Sequence, residues 1–164
     1  MKTIQRIGIL TGGGDCPGLN AAIRGIGKAA LFHNIEVIGI RDGYQGLIEN
    51  RVRQLSIPEL SGILTRGGTI LGTNNKCAPE KYNTGNDDEG NPVYINAVDK
   101  CLATVEEHNI DVLFVIGGDG TFTCTKPLVE AGLPCIGVPK TIDNDIYGTD
   151  LTIGFTSALR IGTM

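Results

Sequence analysis

DVLFVIGGDGT (residues 111–121) and LPCIGVPKTIDND (residues 133–145) are the stretches that decide how this chain folds. Each is a short apolar run ending in a polar loop. The first loop is Gly117-Gly118-Asp119-Gly120-Thr121, and the second is Pro139-Lys140-Thr141-Ile142-Asp143-Asn144-Asp145. Two such runs separated by a helical stretch read as strands of a parallel sheet. Open α/β sheets bind ligands at the carboxyl ends of their strands, where these loops lie.

The residue types in the loops suit phosphate chemistry. Glycines let a backbone approach an anion and turn its N–H groups inward. Thr121 is placed to cap a following helix, whose N-terminus offers free donors and partial positive charge. A carboxylate among such groups calls for a cation, so Asp119 reads as a Mg²⁺ ligand. In the second loop, a carboxylate can take the proton of an attacking hydroxyl and Lys140 can hold a phosphoryl oxygen, as phosphoryl transfer requires. The competing reading makes Asp143 and Asp145 turn residues that bond their own backbone.

Working outward, the same strand–loop–helix form recurs at the N-terminus. Arg6–Leu10 is a strand and residues 11–20, TGGGDCPGLN, a loop. Ala21, Ala22, Ile23, Ile26, Ala29, Ala30 and Leu31 then mark a helix. Residues 35–40 form a strand ending in a turn that carries Tyr44, which either packs over a base or covers the sheet edge. Ser56-Ile57-Pro58-Glu59 is a capping box expected to open a helix through Leu64. Residues 66–76, RGGTILGTNNK, are a further loop directed at phosphate, and residues 79–92 read as an exposed acidic insert. Residues 95–108 are expected to be helical, as is Phe122–Ala131 despite Pro127. The alternation predicts an α/β fold, a parallel sheet with helices on both faces. Residues 156–160 start a helix with no C-cap or strand after it, so the chain reads as part of something longer.

Composition narrows the class. The chain has 164 residues, enough for one cored domain, and a net charge of −4 with 24 glycines. That charge gives no case for nucleic acid or a membrane surface, and the N-terminus is no signal peptide. Five cysteines without CxxC spacing suit a reducing, cytoplasmic setting. Cys101, Cys124 and Cys135 are expected in the core and Cys16 and Cys77 in loops. His33 and His108 each end a helical pattern.

TGGGDCPGLNAAIRG, DGYQGL, RGGTILGT, IGGDGT, PKTIDNDI and GTDLTIGFTSA, in this order, resemble the phosphofructokinases over nearly the whole chain. The resemblance implies that residues 1–164 are the N-terminal, donor-binding domain of a two-domain α/β enzyme, with the second domain absent. It implies transfer of a phosphoryl group from ATP or pyrophosphate, with Mg²⁺, to the 1-hydroxyl of fructose 6-phosphate, by a cytoplasmic homo-oligomer, a dimer or tetramer. Donor contacts are then expected from Gly14, Tyr44, Asn75, Lys76, Gly118, Asp119, Gly120 and Thr121, with Asp119 on the metal. Thr141, Ile142 and Asp143 meet the sugar phosphate. Asp143 is the proton acceptor, helped by Lys140, Thr141 and Asp145. Arg24, Lys28 and Arg66 match effector-binding cations.

Two departures bear on the donor. Asn75-Lys76 stands where allosteric bacterial members carry an arginine, and a lysine is a point charge rather than a fork. Lys140 resembles the pyrophosphate-using branch, whereas Gly120 resembles the ATP users. Three readings follow: an ATP-dependent enzyme, a pyrophosphate-dependent one, and a nucleotide-binding module without turnover. Related GGDGT loops occur in NAD kinases and lipid kinases, but without PKTIDND. The 164-residue chain alone is expected to be inactive.

Overall fold

In the computed structural model, residues 3–163 are described. The chain runs through β1 (Arg6–Thr11), α1 (Leu19–Phe32), β2 (Glu36–Ile40), α2 (Tyr44–Ile48), β3 (Val52–Gln54) and α3 (Ile57–Leu60). There follow β4 (Tyr82–Asn86), β5 (Pro92–Ile95), α4 (Val98–Glu107), β6 (Val112–Gly117), α5 (Asp119–Glu130), β7 (Cys135–Thr141), β8 (Ile153–Gly154) and α6 (Phe155–Gly162).

The main sheet has the order β3-β2-β1-β6-β7-β8. From β1 the chain steps outward to β2 and β3, then returns to the other side of β1 for β6, β7 and β8. β1 and β6 therefore flank the point where the strand order reverses, the position at which doubly wound sheets open a crevice. β1 pairs in parallel with both β2 and β6, and β6 with β7. The expected parallel sheet is modified at one edge, where β3 runs antiparallel to β2.

Alternation along the central strands sets the two faces. Ile7 and Ile9 of β1 join Val112 and Ile116 of β6 beneath Leu19 and Ile23 of α1 and Leu60 of α3. Leu10, Leu113 and Val115 point the other way, against Leu47 of α2, Cys101 and Val105 of α4 and Leu128 of α5. The expectation of helices on both faces holds.

Several boundaries differ from the sequence reading. The helix expected from residue 95 starts at Val98, because residues 92–95 pair with β4 in a separate hairpin instead. That hairpin occupies the stretch expected as an exposed insert, and Ala97 N–H bonds Pro79 carbonyl at 2.7 Å to close its base. The capping box at Ser56 is present, with Ser56 N–H donating to Glu59 Oε2 at 2.9 Å, but α3 ends at Leu60 rather than Leu64. Pro127 does not break α5, which continues to Glu130. His33 and His108 are the C-caps of α1 and α4. Cys101 is buried as expected, whereas Cys124 and Cys135 are only half-buried. No helix among the described residues is long and apolar enough to cross a membrane.

Candidate donor-binding cleft

Three loops meet at the reversal point. β1 delivers Gly12, Gly13 and Gly14, β6 delivers Gly118, Gly120 and Thr121, and β7 delivers Lys140 and Thr141. With Asn74, Asn75, Lys76, Cys77, Ala78, Tyr44 and Cys124 they line a cleft of about 450 Å³.

Close backbone approach holds the first two loops together. A Cβ on Gly117 would stand 2.5 Å from Cβ and Oγ1 of Thr121, and one on Gly12 would stand 2.5 Å from Thr121 Cγ2. Both strand ends must therefore lack side chains for the first turn of α5 to sit on them. Thr121 is not the helix cap expected from sequence. α5 begins at Asp119 with Gly118 at its N-cap, and Thr121 is a buried wedge inside the first turn. The first-turn amides keep no intrahelical partner, so a helix end suited to an anion remains, displaced by three residues.

Lys140 is 5% exposed, and its Nζ donates to the Gly14 carbonyl oxygen at 2.6 Å. The ammonium thus ties the end of β7 to the loop after β1 while it lines the cleft. Tyr44 is 3% exposed. Its hydroxyl lies 2.6 Å from Thr125 Oγ1 and 3.2 Å from the Thr121 carbonyl oxygen, so the ring anchors α2 to the start of α5. Burial pushes its phenol well above the usual range, with the Thr125 hydrogen bond partly opposing. The ring is buried against α5, a packing that neither sequence reading for Tyr44 foresaw, and part of the residue reaches the cleft wall.

The loop over residues 69–77 is organised by short polar side chains. Thr11 Oγ1 donates to Gly72 carbonyl at 2.7 Å, and Thr73 Oγ1 to Gly13 carbonyl at 2.6 Å. Asn74 Oδ1 accepts the N–H groups of Lys76 at 2.7 Å and Cys77 at 3.1 Å. Asn20, buried at the start of α1, donates to the carbonyls of Arg66 and Gly67 and accepts Ile70 N–H at 2.7 Å. Sequence reasoning took Thr73 and Asn74 only as members of the run at residues 66–76 and gave Asn20 no role. A buried asparagine at the head of an otherwise apolar helix was the available signal.

The carboxylates stand apart from the lining. Asp119, Asp143 and Asp145 are exposed, as is Ile142. Asp143 N–H donates to Thr141 Oγ1 at 3.1 Å, a local turn bond of the sort the competing reading foresaw, and its exposed carboxylate has that same hydroxyl 3.5 Å from Oδ2. Asn144 stabilises the loop: its Oδ1 accepts Thr152 N–H at 2.8 Å, and Thr152 Oγ1 donates to Thr141 carbonyl at 2.8 Å. No group of three or more His, Cys, Asp or Glu able to hold a metal occurs among the described residues. That donor set fits Mg²⁺ that keeps its waters and arrives with a phosphate, for which one or two carboxylates suffice.

Fold and cleft together define a doubly wound α/β protein with a glycine-lined crevice at its switch point. A family model, Phosphofructokinase, matches residues 6–164. An ATP-dependent 6-phosphofructokinase of Oceanobacillus iheyensis is 49% identical over 157 residues, 96% of this chain and 45% of that protein. The crystal structure of Pichia pastoris phosphofructokinase in the T-state superposes with a TM-score of 0.81 at 30% identity, covering 97% of this chain and 17% of the other. A pyrophosphate-dependent phosphofructokinase from Marinobacter aquaeolei gives 0.72 at 22% identity over 98% and 41%, a likeness of fold. The chain belongs to the phosphofructokinase family. It spans about half the length of the curated relatives it matches.

Proposed function

We propose that this chain is the donor-binding part of an ATP-dependent 6-phosphofructokinase, which transfers the γ-phosphoryl group of ATP to the 1-hydroxyl of fructose 6-phosphate. One observation carries the reading: the loops after β1, β6 and β7 converge on one cleft whose lining is glycine backbone, Thr121 and the Lys140 ammonium. Relatives at 46–49% identity that bear the name ATP-dependent 6-phosphofructokinase support ATP as the donor. Gly120 supports it too, because open space over its Cα leaves room for a nucleotide.

In this reading the backbone of Gly12–Gly14 and the first turn of α5 cradle the donor phosphates. Lys140 offers its remaining N–H groups to a phosphoryl oxygen while Gly14 fixes its position. Asn75 and Lys76 line the same cleft and meet the donor there. Asp119 holds Mg²⁺, which neutralises charge on the phosphates when bound. Asp143 accepts the proton of the attacking hydroxyl, with Thr141 and Ile142 beside the sugar phosphate and Asp145 as a helper carboxylate. We assign the remaining sugar-phosphate contacts to a second domain, formed by the part of the longer relatives that this chain does not span, within a cytoplasmic homo-oligomer.

The test uses a polypeptide carrying this stretch together with that second domain. Asp143→Asn is expected to lower kcat for fructose 6-phosphate by about 10² to 10⁴, the usual contribution of a general base. A loss of less than about tenfold would leave Asp143 the local turn role that its bond to Thr141 already describes.

A further inference from the structure

A line of hydrogen bonds runs from the hairpin to the donor cleft. Glu49, the C-cap of α2, sits at its outer end. Its Oε1 accepts the Tyr82 hydroxyl of β4 at 2.7 Å and Gln45 Nε2 at 3.0 Å, and its Oε2 accepts Arg51 Nε at 2.7 Å. Gln45 Oε1 in turn accepts Asn74 Nδ2 at 2.8 Å. Asn74 Oδ1 accepts the N–H groups of Lys76 and Cys77, which closes the turn that carries Lys76.

The polarity of this line is set at its outer end. An ionised carboxylate only accepts hydrogen bonds, and the bonds from Tyr82 and Gln45, with Arg51 beside them, hold Glu49 below the usual carboxylate range. Gln45 must therefore give Glu49 its NH₂ group and keep its carbonyl for Asn74. Asn74 must give Gln45 its NH₂ group and keep its carbonyl for the turn. Reversing either amide would set two acceptors face to face on one side and two donors on the other.

We propose that Gln45 is a positioning residue for the phosphoryl donor: it orients Asn74, and through Asn74 the turn that holds Lys76 at the cleft wall. The proposal rests on reading that cleft as the donor site. Asn74, Lys76 and Cys77 line the cleft, and Gln45 does not. The exposed Lys76 ammonium makes no hydrogen bond or ion pair among the described residues. Its place therefore depends on the backbone turn, and the turn on Asn74. A lysine whose backbone is already fixed loses less freedom on meeting a phosphate than one on a loose loop, and binds it more tightly.

The experiment is a double-mutant cycle in the 164-residue chain, with Gln45→Leu and Lys76→Met. Leucine suits a helix and is close to glutamine in size, but makes neither bond. ATP affinity in the presence of Mg²⁺ is measured by calorimetry, and exchange of the Lys76 and Cys77 amides by NMR. Lys76→Met is expected to weaken ATP about tenfold, near the worth of one charge-assisted hydrogen bond. Gln45→Leu is expected to weaken ATP about three- to tenfold and to speed exchange at both amides, with the urea-unfolding midpoint near that of the parent. Once Gln45→Leu is present, adding Lys76→Met should cost less than about threefold, because the lysine is then no longer held in place. Losses that multiply would overturn the proposal, since a residue that only stiffens the fold acts independently of Lys76. Unchanged ATP affinity in either single variant would overturn it too. If the unsubstituted chain binds no ATP, the donor reading fails, and exchange decides the relay by itself. Faster exchange at Lys76 and Cys77 in Gln45→Leu then upholds the relay, and unchanged exchange overturns it.

Discussion

The Lys140 ammonium donates to the Gly14 carbonyl oxygen at 2.6 Å, joining residues 126 apart in the chain. The bond ties the end of β7 to the loop after β1, two walls of the cleft. Burying an ammonium is costly and one hydrogen bond returns only part of that cost, so the residue is better explained by what it binds than by stability. Lys140→Met, which keeps the length and loses the charge, is expected to leave urea-unfolding stability within about 1 kcal/mol of the parent. ATP affinity by calorimetry is expected to fall by at least about tenfold, or about 1.4 kcal/mol. Unchanged affinity would reduce Lys140 to a strut.

Tyr44 tests the second brace. Its hydroxyl bonds Thr125 and the Thr121 carbonyl, and Thr125 Oγ1 itself donates to that carbonyl at 2.9 Å. Tyr44→Phe removes one member of this buried network and is expected to cost about 0.5–1.5 kcal/mol in urea unfolding. Tyr44→Ala, which also empties the ring volume, is expected to cost about 3–5 kcal/mol. Equal losses in the two variants would show that the hydroxyl, not the ring, carries the contact.

On the proposed reading, Gly120 is what separates nucleotide from pyrophosphate. A Cβ there meets nothing within 4 Å, so Gly120→Asp is expected to fold normally. The new carboxylate would stand beside Asp119 at the rim of the cleft, where it repels donor phosphate. ATP affinity is expected to fall by at least about tenfold (about 1.4 kcal/mol) with the unfolding midpoint unchanged. Retained affinity would place the nucleotide elsewhere.

Alkaline pH should destabilise the fold through Cys101. Burial pushes this fully buried thiol from its ordinary 9.0 up to about 12. The unfolded chain releases this proton near pH 9 and the folded chain does not, so the folded state binds more protons and stability falls as pH rises. The loss begins near the unfolded value and runs to about 12, with a slope of about 1.4 kcal/mol per pH unit for one such group. Cys101→Ala should be less stable at pH 7 but should lose less between pH 9 and 11. Parallel curves for the two proteins would show that Cys101 ionises in the folded state as readily as in the unfolded one.

Much of this architecture is legible in the sequence, because parallel strands that are buried on both faces must be apolar throughout and must end in loops. DVLFVIG and the segment from Arg6 to Leu10 announce β1 and β6, and the glycines after them mark where α5 and α1 come close. The wedge role of Thr121 was not legible, since a threonine near a helix start looks the same whether it caps the helix or packs beneath it. Backbone geometry decides that, by placing the N-cap at Gly118. Tyr44 was ambiguous for a similar reason: its partner Thr125 lies 81 residues away, on a helix whose rotation no local pattern fixes. The hairpin at residues 82–95 escaped because β4 is polar, both strands are largely exposed, and neither shows the alternation that marks a half-buried sheet. The loop at residues 66–76 was recognised as glycine-rich, but its bonds to Thr11, Gly13 and Asn20 are long-range and leave no periodic trace.

The choice of donor is tested most directly by steady-state turnover of fructose 6-phosphate, using a polypeptide that carries this stretch at the full length of its relatives. ATP and pyrophosphate are supplied separately, each with Mg²⁺. The open face of Gly120 and the tether of Lys140 to Gly14 predict a higher kcat/KM with ATP. A higher kcat/KM with pyrophosphate would contradict the account, and would mean that the Lys140 charge rather than the space over Gly120 selects the donor.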